Sequence, residues 1–127
     1  MPEETHLVTV PAVGHPSELE LTSDDVVILA MKTQHTEAAL DELAACAPSD
    51  IAVVCCQNGV ENERLALRRF PNVYGMCVVL PGSHLEPGIV EGAGAPVGGV
   101  LDVGRYPSGR DDTAEMIAAA LSSSNMR

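Results

Sequence analysis

Residues 24–32, DDVVILAMK, decide the fold of this chain. The apolar run 26–31 has no polar alternation, which is typical of a strand covered on both faces in a parallel sheet flanked by helices. Ligands bind such sheets beyond the carboxyl ends of the strands. Lys32, the only lysine of the chain, follows the run directly. The sequence thus predicts an α/β fold with its single ammonium group at the ligand-binding edge. The alternative interpretation is a solvent-exposed lysine at a strand end.

Strand and helix patterns alternate after this run. Apolar residues at helical spacing predict a helix over 36–47, which Pro48 ends, and residues 51–56 form a second buried strand. A second helix is predicted over 60–70 and a third strand over 73–80. The order β-α-β-α-β with short connections indicates a parallel half of a doubly wound sheet.

The two ends of the chain carry weaker patterns. Residues 7–10 are a short strand candidate near the start. Residues 88–91 and 97–103 are glycine-spaced strands that we expect to form a C-terminal β-hairpin. A last helix is predicted over 111–121, with an aspartate as its N-cap. All of these elements fit one domain over residues 1–127.

Composition restricts partners and location. Eighteen acidic residues against seven basic ones give a net charge of −11, and no basic stripe is present, which argues against nucleic acid as a partner. The first 25 residues contain neither lysine nor arginine, unlike a signal or transit peptide. No apolar stretch approaches the ~20 residues that span a bilayer. We therefore expect a soluble, cytoplasmic protein with no membrane partner.

The four cysteines and four histidines show no metal-ligand spacing. Neither a C-x-x-C pair nor an H-x-x-x-H pair occurs, so we expect no metal site. Cys55 and Cys56 lie inside the apolar run 51–56 and are interpreted as small hydrophobic residues.

A phosphate-binding glycine loop is not found. A dinucleotide-binding sheet begins with a strand, a G-x-G-x-x-G turn and a helix. Gly92 and Gly94 supply the first two glycines, but the last position of the pattern is Val97 and no helix pattern follows. We assign these glycines to the predicted hairpin.

Four motifs in order resemble the ketopantoate reductases (2-dehydropantoate 2-reductases). They are DVVILAMKTQHT at 25–36, QNGVENE at 57–63, VYGM at 73–76 and EPGIV at 86–90, and the similarity extends from about Leu7 to Tyr106. It covers the second half of that family's nucleotide-binding domain. The resemblance implies a truncated NADP-binding, Rossmann-like domain of a two-domain oxidoreductase. That enzyme reduces the ketoacid 2-dehydropantoate to pantoate with NADPH on the route to coenzyme A.

The resemblance also implies site residues. Lys32 matches the lysine that closes the family's fourth strand, and Asn58 with Gly59 matches its Q-N-G turn, on the nicotinamide and substrate side. Lys32 can then donate to ribose hydroxyls or to the substrate carboxylate, and Asn58 can orient either ligand by hydrogen bonds in both directions. Asn-Gly is also a common turn dipeptide, which is the alternative interpretation. The sequence departs from the family pattern at His35, where the family often has glutamine. An adenine or ribose contact assigned to that glutamine therefore does not carry over to this chain.

The resemblance places two functional parts of the family outside these motifs. Its phosphate-binding loop precedes them, and the lysine that protonates the carbonyl follows in a helical second domain. We therefore expect the first βαβ half and the second domain to be absent, the chain to contain no catalytic residue, and the isolated 127 residues to be inactive. The strand 26–31 would then have an exposed apolar edge, which favours a homo-oligomer.

Two other classes of function remain open at this point. One is a non-catalytic α/β module that self-associates or binds a partner. The other is a complete small Rossmann-like enzyme, such as a methyltransferase. The second is disfavoured because no paired carboxylates and no Ser-His or Cys-His set converge with the polar strand ends.

Overall fold

The computed structural model describes residues 5–94, 96–124 and 126. This part of the chain forms an open sheet with helices on both faces. In chain order the strands are β1 (Val26–Leu29), β2 (Ala52–Cys55), β3 (Val73–Val79), β4 (Gly82–Ser83), β5 (Glu91–Gly92) and β6 (Val100–Arg105). The helices are α1 (Thr36–Ala44), α2 (Asn62–Leu67) and α3 (Asp112–Ser122).

The main sheet has the strand order β1-β2-β3-β6. Strands β1, β2 and β3 run parallel, and β6 is antiparallel to β3 at the far edge. Helices α1 and α2 connect the parallel strands in turn, as in βαβ units. This confirms the predicted Rossmann-like parallel sheet with flanking helices. The predicted last helix is also confirmed, with Asp111 as its N-cap.

Each face of the sheet has its own apolar core, because successive strand residues point to opposite faces. On one face, Leu40 and Leu43 of α1 and Ala66 of α2 pack against odd-numbered strand residues. On the other face, Ala114 and Ile117 of α3 pack against even-numbered residues of the parallel strands and against Val103 of β6. The strand residues in the first core are Leu29, Val53, Cys55 and Val73, and those in the second are Ala52, Val54, Tyr74, Met76 and Val103.

Strand β1 is fully covered on one face only. Leu29 is 3% exposed against α1 and α2, whereas Ile28, on the opposite face, is 47% exposed. Helix α3 packs beside β6, at the other edge of the sheet, and therefore leaves Ile28 open. The prediction that both faces of this strand are covered is wrong at Ile28. Among the described residues no strand pairs with the outer edge of β1.

Two weaker predictions are wrong. Residues 7–10 form no strand, because they have no strand beside them, and Leu7 is 98% exposed. Residues 88–91 and 97–103 do not form a hairpin with each other. Instead, β6 pairs with the long β3, and β5 pairs with β4. Pairing with β3 places Val103 in the core, a gain that an isolated two-stranded hairpin does not offer.

The helices that follow β1 and β2 are shorter than predicted. Helix α1 ends at Ala44 rather than at residue 47, and α2 covers Asn62–Leu67 rather than 60–70. A 3₁₀ turn, Thr33–His35, leads into α1. Before α2, Gly59 has a φ of 99°, a conformation that side chains other than glycine rarely adopt. None of the helices in the described ranges is long and apolar enough to cross a membrane.

Asp111 ties β3, β6 and α3 together at the amino end of the parallel strands. Its Oδ2 accepts hydrogen bonds from Arg105 Nη1 at 2.7 Å and from the Tyr74 hydroxyl at 2.9 Å. Its Oδ1 accepts from the backbone N–H of Ala114 at 2.8 Å, which caps α3. The hydrogen bond from Ala114 lowers the pKa of Asp111 most, and the bonds from Arg105 and Tyr74 lower it further.

We expect Asp111→Ala to lower the free energy of unfolding by about 3 kcal/mol. The variant loses a helix cap worth ~1 kcal/mol and leaves the hydroxyl of the buried Tyr74 without its acceptor. Because the pKa of Asp111 is lower in the folded state, its stabilisation is present above its ordinary pKa of 3.8 and is lost as the pH falls further. Urea unfolding at several pH values measures both effects.

Two variants serve as controls for this prediction. Asp111→Asn keeps a capping oxygen but not the charge, so its stability should lack the acidic pH dependence of Asp111. Asp112→Ala removes the same charge from an exposed neighbouring position and should cost well below 1 kcal/mol. Equal losses for Asp111→Ala and Asp112→Ala would contradict the assignment.

Candidate functional site

A cleft of about 330 Å³ lies at the carboxyl ends of the parallel strands. It is lined by Ala30, Met31, Lys32, Thr33, Cys56, Gln57, Asn58 and Val78. Lys32 and Asn58, which were predicted from the sequence, thus lie in one cleft. Gly59 is not among its lining residues and instead forms the turn that follows Asn58.

Lys32 reaches the cleft because the chain turns directly after β1. Its backbone is extended, and the 3₁₀ turn beginning at Thr33 redirects the chain into α1. The side chain is exposed, and within the described ranges no carboxylate forms an ion pair with it. The ammonium group is therefore available to a ligand with an oxygen acceptor.

A buried hydrogen-bond network lies beneath the cleft. Gln57 Nε2 donates to the carbonyl oxygen of Met31 at 2.8 Å and to Thr36 Oγ1 at 2.9 Å. Thr36 Oγ1 donates to Asn62 Oδ1 at 2.8 Å. Asn62 Nδ2 donates to Thr33 Oγ1 at 3.2 Å and to the carbonyl oxygen of Asn58 at 3.4 Å. The segment that carries Lys32 and the segment that carries Asn58 are thus joined through side chains.

Thr36, Gln57 and Asn62 were not predicted as site residues. Thr36 and Asn62 are fully buried, and Gln57 is 7% exposed. The sequence offered one signal, since all three lie within the motifs at 25–36 and 57–63. Thr36 and Asn62 begin helices, where polar residues are ordinarily exposed, and no separate pattern in the sequence indicates that the three residues are buried together.

Cys55, the last residue of β2, and Cys56, which follows it, are poor nucleophiles. Burial, and secondarily the charge of Glu63, raise the pKa of Cys55 to about 12. Burial also raises the pKa of Cys56, which lines the cleft. Both thiols are therefore protonated at neutral pH, whereas the thiolate is the reactive form. The described histidine, cysteine, aspartate and glutamate side chains also form no group of three or more that could hold a metal ion.

A second cavity, of about 450 Å³, lies at the opposite end of the parallel strands. Its lining includes Tyr74, Arg105 and Asp111, which bind one another. Asp50, also in the lining, accepts a hydrogen bond from Ser23 Oγ at 2.6 Å. Because these polar groups satisfy each other, and because α/β sheets bind ligands at the carboxyl ends of their strands, the smaller cleft is the better candidate site.

Comparison with known proteins identifies related sequences and folds. The sequence model of the ketopantoate reductase PanE/ApbA family matches residues 2–108. The 2-dehydropantoate 2-reductase from Geobacter metallireducens GS-15 is 23% identical, with a TM-score of 0.72 over 89% of this chain and 37% of its own. The 2-dehydropantoate 2-reductase from Methylococcus capsulatus is 25% identical, with a TM-score of 0.70 over 86% of this chain and 34% of its own.

A third similar structure is a D-mandelate dehydrogenase in a ternary complex with NADH and anilino(oxo)acetate. It is 24% identical, with a TM-score of 0.71 over 87% of this chain and 36% of its own. The chain thus spans about a third of the length of each of these structures. These likenesses confirm the fold that the strand and helix pattern predicted.

Proposed function

The chain belongs to the ketopantoate reductase PanE/ApbA family, and from this premise we propose that it forms the nicotinamide- and substrate-facing part of an NADPH-dependent 2-dehydropantoate 2-reductase. One observation carries the proposal. Lys32 and Asn58, from consecutive strand ends, line a single cleft at the carboxyl edge of a parallel sheet. Oxidoreductase chemistry of the ketopantoate reductase type agrees with the family and with the similar solved structures.

The polar groups of the cleft suit a nicotinamide nucleotide and a ketoacid. Lys32 has three donor hydrogens, Asn58 has both donors and an acceptor, and Thr33 has a hydroxyl. Such groups match ribose hydroxyls, a carboxamide and a carboxylate. The volume of about 330 Å³ lies at the lower end of the range for small-molecule sites. The similar D-mandelate dehydrogenase structure contains NADH, which supports a nicotinamide cofactor here.

The role that we assign to these residues is binding and orientation. When bound, the nicotinamide supplies the hydride. Lys32 neutralises a ligand oxygen by a charge-assisted hydrogen bond, and Asn58 fixes the rotation of a planar amide or carboxylate. The protonated Cys56 and the apolar Ala30 and Val78 complete the wall of the cleft without a competing nucleophile.

The proposed function is tested by nuclear magnetic resonance on the isotope-labelled chain. Titration with NADPH, and separately with 2-dehydropantoate, should shift the amide signals of Lys32, Thr33, Asn58 and Gly59. Signals of Asp50 and Asn72, which line the cavity at the opposite end of the strands, should not move. An absence of shifts at the cleft with both ligands up to millimolar concentration would contradict the proposal.

Lys32→Ala should weaken NADPH binding by roughly 1.5 to 3 kcal/mol, because the variant removes the only ammonium side chain of the chain and with it a charge-assisted hydrogen bond. The measurement is the dissociation constant from the same titration. Arg64→Ala is the matched control. It removes one positive charge from α2, where Arg64 forms an exposed ion pair with Glu61, and Arg64 does not line the cleft. If both variants bind NADPH like the unaltered chain, Lys32 is only a solvated side chain.

A further inference from the structure

We propose that Thr36 and Asn62 are positioning residues, which hold the turn that carries Lys32 and the turn that carries Asn58 at a fixed separation. The inference rests on the proposed function for its consequence in ligand binding. The geometry that carries it is independent of the ligand. The proposal assigns a role to two fully buried polar side chains that do not line the cleft.

The hydrogen bonds reach the neighbours of both binding residues. Lys32 lies between Met31, whose carbonyl accepts from Gln57, and Thr33, whose hydroxyl accepts from Asn62. Asn58 follows Gln57 directly, and its own carbonyl accepts from Asn62. Both neighbours of Lys32 are therefore bonded to the segment that contains Asn58, Met31 through its backbone and Thr33 through its side chain.

The direction of each hydrogen bond follows from the chemistry of the groups. A carbonyl oxygen only accepts, so the Gln57 atom that faces Met31 must be the amide nitrogen. The same nitrogen also donates to Thr36, whose single hydroxyl hydrogen then goes to Asn62 Oδ1. Asn62 must consequently present Nδ2 to Thr33 and Asn58. The network thus has one consistent arrangement, with Thr36 as its central link.

Burial makes this link costly to break. Thr36 and Asn62 are each 0% exposed, so water does not replace a lost partner without a structural change. The side chains that contact a ligand, by contrast, are exposed and gain their precision from the backbone beneath them. Because the two turns are already held in place, a ligand loses less binding free energy to ordering them. Misplacement of a binding group by about 1 Å can cost ~100-fold in activity.

Thr36→Val and Thr36→Ser form the decisive pair. Valine keeps the shape of threonine but has no hydroxyl, so Asn62 Oδ1 and one hydrogen of Gln57 lose their partner. Serine keeps the hydroxyl. We expect Thr36→Val to speed amide hydrogen exchange about tenfold at residues 32–33 and 57–59, and to weaken NADPH binding about tenfold. Thr36→Ser should restore both quantities, and amides of β3 and α3 should exchange at the unaltered rate in both variants.

Thr33→Val provides a second route if Thr36→Val fails to fold. Thr33 is exposed, so its substitution removes one bond of the network without opening a cavity in the core. Faster exchange at residues 57–59 in this variant would support the proposal, because Thr33 lies in the other segment. Unchanged exchange there would overturn it.

The remaining outcomes are also decisive. Uniformly faster exchange across the sheet in Thr36→Val would indicate a general loss of stability and would overturn the positioning role. The role would also be overturned if Thr36→Ser did not restore the exchange rates of the two turns. If the unaltered chain binds no NADPH, the proposed function fails. The exchange pattern then still decides whether Thr36 and Asn62 couple the two turns.

Discussion

The purified 127-residue chain is expected to oxidise no NADPH above the blank when it is mixed with 2-dehydropantoate. Reduction of a ketoacid needs a bound cofactor, an oriented carbonyl and a proton donor in one place. The chain has a single lysine, which we assign to binding, and no G-x-G-x-x-G loop for the pyrophosphate. Holding the reactants in the correct geometry supplies ~7 to 11 kcal/mol of catalysis, and the cleft provides only part of the groups that achieve it.

The assay follows the absorbance of NADPH at micromolar protein and millimolar ketoacid. A complete 2-dehydropantoate 2-reductase of the same family serves as the positive control. Turnover by the chain would contradict the prediction. Loss of that turnover in Lys32→Ala at saturating NADPH and ketoacid would then indicate that Lys32 is a proton donor rather than a binding residue.

The elements that could be predicted from the sequence are those whose signal is local. The strand of residues 51–56 is an unbroken apolar run, and the last helix has an aspartate cap and apolar residues at helical spacing. The partner of β6 could not be predicted in this way, because glycine-spaced residues 97–103 fit a hairpin locally. Their pairing with β3 buries Val103 beside Tyr74 and Met76, which are distant in the sequence.

The residues of the candidate site also differ in whether the sequence carries a local signal for them. Lys32 and Asn58 follow apolar strands, so strand order alone places them at one edge of the sheet. Thr36 and Asn62 are polar residues in the first turns of two helices, where exposure is the ordinary expectation. Their burial is favourable only because each satisfies the other, at a separation of 26 residues in the sequence.

The second large effect concerns the open edge of β1. We expect the chain to self-associate through this edge and Ile28→Lys to leave it monomeric. The carbonyl of Leu29 accepts a hydrogen bond from Cys56 at 2.9 Å and therefore faces β2. Because backbone groups of successive residues in a parallel strand point to opposite sides, those of Ile28 face outward. An unpaired strand edge with a half-exposed apolar side chain is a template for pairing with a second copy.

A lysine at position 28 opposes this pairing by placing a charge on the edge strand, and the half-exposed position limits the cost to the fold. Leu85→Lys is the matched control, since Leu85 is 90% exposed, lies outside the sheet and gives the same change of net charge. Sedimentation velocity over a range of concentrations measures the result. Association lost only in Ile28→Lys identifies the β1 edge as the contact.

The net charge of −11 works against association, so the strength of the edge contact decides the outcome. A monodisperse, unaltered chain with a cooperative thermal transition would contradict the prediction and show that the edge is covered within one molecule. Association through β1 together with the absence of NADPH binding would instead favour a non-catalytic α/β module. Association combined with cleft shifts on NADPH addition is the result that our proposals require, because the edge of β1 and the cleft beyond the strand ends are separate surfaces of the sheet.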